Sequence, residues 1–148
     1  MIELYTDGGA QPNPGIGAYA YVIVEDGKVV ASDSGIVGDN VTNNVCEYTA
    51  MLRGLDKIQE LYKNRDFVDG EVSLISDSQL MINQITGKYR VNNELLKCYR
   101  RELVELAADI FGDVQVDVRW KGREDLMLQR CDGMCDVRIN GRKLSITH

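Results

Sequence analysis

Ile2-Glu3-Leu4-Tyr5-Thr6-Asp7-Gly8-Gly9 alternates apolar side chains and then places a carboxylate directly before two glycines. Alternation of this kind is the period of a half-buried strand, so the stretch predicts a first strand that delivers Asp7 to a sheet edge. The two glycines predict a sharp backbone turn beside the carboxylate, and Asn13-Pro14-Gly15-Ile16-Gly17 turns the chain back into a second strand. An aspartate at a strand end is also a common turn residue, so its meaning depends on what the rest of the chain brings to the same edge.

Working outward, Ala18 to Val24 is apolar throughout, Glu25-Asp26-Gly27-Lys28 is a turn, and Val29 to Val37 resumes as a strand. Together these predict a three-stranded antiparallel meander. Apolar residues at Tyr48, Met51, Leu52, Leu55, Ile58 and Leu61 then recur at helical spacing, with Thr42 and Asn43 as caps. Glu47 falls on or near the face that carries Met51, where an acid is costly without a partner, and a cation is the obvious partner. Val72 to Ser76 reads as a short buried strand ending at Asp77, and the strand, helix, strand order predicts a parallel pairing beside strand one. Asp7 and Asp77 would then lie side by side at the C-terminal ends of neighbouring strands, where open α/β sheets place ligands. A short helix over Ser78 to Thr86 follows, then a longer one capped by Asn92 or Asn93 and closed at Gly112, then a fifth strand through Val114, Val116 and Val118 toward Trp120. A final helix from Leu126 to about Val137 carries Asp132. Residues 137–148 are expected to form a C-terminal extension, a hairpin or an added edge strand around Asn140-Gly141.

A chain of 148 residues, 44% hydrophobic, is expected to make a single domain spanning 1–148. No uninterrupted apolar window of about 18 residues exists and no basic, then apolar, leader opens the chain, so no membrane partner and a cytoplasmic location are expected. Cys46, Cys98, Cys131 and Cys135 lack metal-ligand spacing and are expected as buried thiols. The net charge of −6 argues against general nucleic-acid binding, because phosphate affinity rests on Lys and Arg. Local clustering answers part of that objection. Lys88, Arg90, Lys97, Arg100 and Arg101 follow one another over a loop and helix, either as a nucleic-acid face or as ordinary solvated charges.

Four acids gathered at one sheet edge repel one another and need compensation. All-oxygen ligands select hard cations, so two Mg²⁺ ions, with Mn²⁺ as a substitute, suit the set, and such a pair is a known device for in-line phosphodiester hydrolysis. Thr6-Asp7-Gly8, Asn13-Pro14-Gly15, Thr42 to Glu47, Ser76-Asp77-Ser78-Gln79 and Arg130-Cys131-Asp132 together closely resemble the type 1 ribonuclease H family in identity, order and approximate spacing, from Ile2 to about Asp136. The resemblance implies an α/β fold, a ribonuclease H-like mixed five-stranded sheet flanked by helices. It implies an endonuclease that cuts the RNA strand of an RNA–DNA hybrid to 5′-phosphate and 3′-hydroxyl ends. Asp7 would bridge the two ions, Glu47 and Asp77 would complete the ion on the leaving-group side, and Asp132 would hold the other.

The same resemblance places Asn13, Asn43 and Gln79 against the RNA strand in its minor groove, where 2′-hydroxyls separate RNA from DNA. It gives Gly8 and Ser78 as backbone contacts to substrate and sets Thr42 near a pocket for a DNA-strand phosphate. For Asn43, capping and substrate binding both stand. Trp120 is expected in the core. The chain departs from many members in two ways. Gly87 to Asn93 is too short for their basic insertion, so modest substrate affinity is expected. The loop Lys121 to Leu126 lacks their histidine, and Arg123 stands near that place as a phosphate holder, with an alkaline rate optimum expected. His148, the one histidine, is expected at a frayed terminus. A nuclease of the same fold acting on double-stranded RNA or DNA junctions, and an inactive hybrid-binding module, are the competing readings. A monomer without an obligate protein partner is expected.

Overall fold

The computed structural model describes residues 1–146, so the expectation for His148 lies outside the described residues. Three long strands, β1 (Ile2–Gln11), β2 (Gly15–Glu25) and β3 (Lys28–Val41), form the antiparallel meander. Asp26 and Gly27 join β2 to β3 with positive φ of 50° and 81°, the mirror-image turn whose twist suits a two-residue hairpin. α1 (Asn43–Leu61) crosses back to β4 (Val72–Ser76), which pairs in parallel with β1 from Ile2↔Val72 to Thr6↔Ser76. α2 (Gln79–Ile85) and α3 (Glu94–Phe111) lead to β5 (Asp117–Trp120), parallel to β4, and α4 (Leu126–Ile146) closes the fold. The mixed sheet runs β3-β2-β1-β4-β5.

Side-chain alternation divides the core between the sheet's two faces. Ile2, Leu4, Val72 and Leu74 point toward α1 and α3 with Tyr48, Met51, Leu55 and Leu103, while Tyr5, Val22 and Ile75 face α4. The caps are local chemistry. Thr42 Oγ1 accepts from Val45 N–H at 3.3 Å, Ser78 Oγ from Met81 N–H at 3.1 Å, and Asn93 Oδ1 from Leu96 N–H at 3.0 Å. α1 lies unusually near the sheet. A Cβ at Gly8 would fall on the backbone of Cys46 and Glu47, and one at Gly54 would fall on the Leu4 side chain.

The tail departs from expectation, because α4 runs unbroken through Asn140-Gly141 to Ile146 in place of a hairpin or edge strand. Leu128, Cys131, Cys135 and Ile139 are buried at spacings of three and four, a helical face on β1 and β2. Arg138 Nε donates to Ser34 Oγ at 3.0 Å, and Arg142 grips both Asp39 oxygens at 2.9 and 2.6 Å, tying the helix to β3. Gly141 costs about 1 kcal/mol in a helix, less than the roughly 1.5–3 kcal/mol from burying an aliphatic side chain such as Ile139. Two smaller differences concern Cys98, exposed on α3 where a buried thiol was expected, and Trp120, 48% exposed where a core residue was expected. β5 is the edge strand of the sheet, and the Trp120 indole lies at its rim.

Candidate active site

β1 continues through Gly8 and Gly9 to Gln11 rather than turning at Asp7. The glycines stay extended and pair with β2, Gly8↔Tyr19 and Gly9↔Ala18, and the missing side chain at Gly8 gives α1 its close approach. What ends near Asp7 is β4: its pairing with β1 stops at Thr6↔Ser76 and the chain leaves at Asp77. Asp7 and Asp77 therefore meet at the carboxyl end of β4. Glu47 reaches the same place from the first turns of α1.

One carboxylate oxygen from each of Asp7, Glu47 and Asp77 lies within 4.8 Å of the others. Asp7 and Glu47 are 7% and 8% exposed, and Glu47 Oε2 is buried without a hydrogen-bond partner. Leaving a charged oxygen so placed is expensive, and the protein answers by holding protons. Burial first, then Asp77 and Asp132, push Asp7 up to about 8 from an ordinary 3.8. Burial and the charges of Asp7 and Asp77 hold Glu47 well above the carboxylate range. Asp77 is raised by burial and pulled back by Arg123, whose Nε stands 3.7 Å from its Oδ2. Asp132, exposed on α4, is outside this trio, but its charge adds to the field that raises Asp7.

A hard divalent cation fits this donor set: three oxygens converge, one has nothing else to bind, and neither Cys nor His belongs to the cluster. Cys135 lines the cleft, but its thiol is pushed far up by burial and donates to the Asp7 carbonyl at 3.6 Å, so it is an inert wall.

The acids open into a cleft of about 370 Å³, which Gly8, Asn43, Ser78 and Arg123 also line. Thr42, Asn13 and Gln79 stand outside the cleft lining: Thr42 at the α1 cap, Asn13 in the β1–β2 turn and Gln79 exposed at the start of α2. Asn13 Oδ1 accepts from Asn43 N–H at 3.0 Å, and Asn43 Oδ1 accepts from Ala10 N–H at 2.8 Å. A backbone N–H only donates, so both amide oxygens are committed and each side-chain NH₂ is what remains to donate outward. Ser78 N–H is spent on Ser76 Oγ at 3.0 Å, which removes it as a backbone contact and leaves the Ser78 hydroxyl as the donor.

Gln11, Asn44, Gln129 and Asp136 also line the cleft and were not among the sequence candidates. Gln129 and Asp136 lie three before and four after Asp132, so helical spacing alone could have found them. Gln11 donates to Asp136 Oδ1 at 3.1 Å across 125 residues of sequence, a contact with no local signal. Lys88, Arg90, Lys97, Arg100 and Arg101 all rim a separate depression of about 830 Å³, and Arg100 is further committed by donating to the Gln84 carbonyl at 2.8 Å.

The RNase H family model matches residues 1–122. The bifunctional protein Rv2228c of Mycobacterium tuberculosis is 32% identical over 100 residues, covering 66% of this chain and 26% of that protein. Ribonuclease H of Acidithiobacillus ferrooxidans is 30% identical over 131 residues, covering 81% of this chain and 74% of that one. The chain thus spans about a quarter of the length of the mycobacterial relative. Among solved structures, LC11-RNase H1 in complex with RNA/DNA hybrid superposes with a TM-score of 0.86 at 28% identity, over 96% of this chain and 99% of that one. The carboxylate cluster, the order of the sheet and these likenesses agree: the chain belongs to the ribonuclease H family.

Proposed function

We propose that the chain is a divalent-metal-dependent endonuclease that hydrolyses the RNA strand of RNA–DNA hybrids, leaving 5′-phosphate and 3′-hydroxyl ends. The observation that carries this reading is the convergence of Asp7, Glu47 and Asp77 around a buried, unpartnered carboxylate oxygen at the floor of a cleft. Asp7, Glu47, Asp77 and Asp132 would hold two Mg²⁺ ions, or Mn²⁺ in their place, which supply Lewis-acid stabilisation of charge at the scissile phosphodiester.

The chain's own groups do the rest. Asp7 belongs to the trio and also feels the charge of Asp132 across the cleft, which supports a bridging role. The NH₂ groups of Asn13 and Asn43 are donors held by backbone contacts, suited to the O2, N3 and 2′-hydroxyl acceptors of a hybrid's minor groove. Gln79 stands beside Ser78 at the start of α2 as a further amide for the RNA strand, Gly8 lines the cleft as a backbone contact to substrate, and Thr42 offers its hydroxyl hydrogen to a DNA-strand phosphate. Arg123, 93% exposed, holds Asp77 loosely and is free to swing to a phosphate. Among the described residues no helix is long and apolar enough to cross a membrane. We take the protein to act as a monomer in the cytoplasm, with the hybrid as its partner.

The test is cleavage of an end-labelled hybrid, with duplex RNA, duplex DNA and a DNA junction as controls, in Mg²⁺ or Mn²⁺ and after chelation. The RNA strand of the hybrid alone should be cut, and only with metal. Cleavage of duplex RNA or of the junction at equal rate would move the substrate assignment, and binding without cleavage would make the chain a hybrid-binding module.

A further inference from the structure

We infer that Trp120 is a positioning residue for the cation site, acting through the backbone of Asp77. The argument rests on the reading of Asp7, Glu47 and Asp77 as cation ligands and starts where β4 and β5 part. Their parallel ladder ends with Ser76 opposite Trp120, and Lys121 N–H gives the Ser76 carbonyl its last rung at 3.1 Å. Asp77 lies beyond β4 and before α2, so neither element supplies its carbonyl with a partner. The Trp120 indole Nε1–H does, at 3.0 Å. A side chain thus extends the sheet by one rung at the residue whose carboxylate joins the trio.

The placement is costly on any other account. An indole is chiefly an apolar body, and at 48% exposure Trp120 gives up much of what burial offers. Its polar end, however, is fully used. With that carbonyl pinned, the Asp77 peptide cannot rotate to relieve repulsion among the acids, and its carboxylate stays aimed at Asp7 and Glu47. Groups that orient ligands in this way set metal affinity without touching the ion.

Tryptophan occurs once in the chain, so its fluorescence reports this one hydrogen bond's surroundings. The metal-free protein is titrated with Mg²⁺ in the absence of nucleic acid, following emission and calorimetric heat together. Both should saturate at the same Mg²⁺ concentration, and both should weaken in Asp77→Asn. Trp120→Phe keeps an aromatic ring and removes the N–H, and its calorimetric affinity for Mg²⁺ should fall on the order of tenfold. With hybrid present, its kcat should fall at limiting Mg²⁺ and recover at high Mg²⁺ while KM holds, a pattern that a mere packing defect would not give. Emission that stays silent through saturation, or a Trp120→Phe protein with an unchanged Mg²⁺ isotherm, overturns the inference. Should the variant not fold, the emission titration of the unaltered protein decides alone. Absence of any Mg²⁺ binding to the unaltered protein would overturn the cation reading, and this inference with it.

Discussion

The sheet has an acidic cluster at each end, and the two are built on opposite terms. At the start of β1, Arg65 donates to Glu25 at 3.2 Å and to Glu71 at 3.0 Å, its guanidinium lies 5.3 Å over Tyr62 and 5.7 Å over Phe67, and Tyr62 Oη donates to Glu25 at 2.8 Å. Asp26, nearby, is lowered by the N-terminal amine that donates to it at 2.8 Å. At the other end Asp7, Glu47 and Asp77 are all raised, and Glu47 and Asp77 are eased only in part by a largely exposed Arg123. One end supplies cations from its own sequence; the other leaves its charge for something outside the chain. Repulsion that a fold could have relieved, yet keeps, is the mark of a working site rather than of a packing requirement.

The largest break in this contrast comes from Asp7→Asn, which keeps the shape and removes the charge shared by both carboxylate groupings. Cleavage of hybrid should fall on the order of a thousandfold or more, while the metal-free melting temperature holds or rises. A rate within about tenfold of the unaltered enzyme would show that Asp7 is not part of the chemistry.

Next in size is the pH dependence of metal-free stability. The unfolded chain loses the Asp7 proton near 3.8, the folded chain near 8, so between these values the folded state holds the extra proton. The contribution of Asp7 to stability should therefore be greatest below the lower value and fall by about a few kcal/mol as pH rises through the window. Glu47 pulls in the same direction. Urea denaturation at several pH values checks this, and saturating Mg²⁺ or Asp7→Asn should flatten the slope. A slope unchanged by either would place the titrating groups elsewhere.

At the paired end, Arg65→Ala should cost about 1–2 kcal/mol of stability and leave cleavage intact, since it strands Glu25 and Glu71 and bares two rings far from the cleft. The smallest effect belongs to the basic rim. Removing Lys97 and Arg101 together should raise KM about severalfold and make its salt dependence shallower, because few phosphates are neutralised to begin with. An unmoved KM would identify those residues as solvated charges, the alternative that sequence left open.

How legible these ends were differs for a physical reason. Asp7, Asp77 and Glu47 were readable because strand period, helix period and turn residues are local, and the parallel crossover follows from handedness. The cap Thr42 was readable on the same grounds, and Asn93 as one of two neighbouring alternatives. α4 was not readable past Val137, because the Asn-Gly signal is local while the forces that carry the helix through it come from β1, β2 and Asp39 of β3. The continuation of β1 past Asp7 was hidden likewise, since Gly8 serves the neighbouring helix rather than a turn. Trp120 at an edge strand and the Gln11 to Asp136 bond depend on which elements end next to each other, which no window of sequence contains.

The bare backbone at Gly8, facing Cys46 and Glu47, and at Gly54, facing Leu4, has one more result. At Gly8, where no side chain stands between helix and strand, the spacing from Asp7 to Glu47 is set by main-chain atoms, which have no rotamers to drift through. In a saturation mutagenesis screen, position 8 should tolerate substitution as poorly as the acids, and position 54, which meets the Leu4 side chain, should tolerate it better. A lineage could vary the cleft wall widely, yet it could not enlarge Gly8 without lifting α1 and pulling the two carboxylates apart.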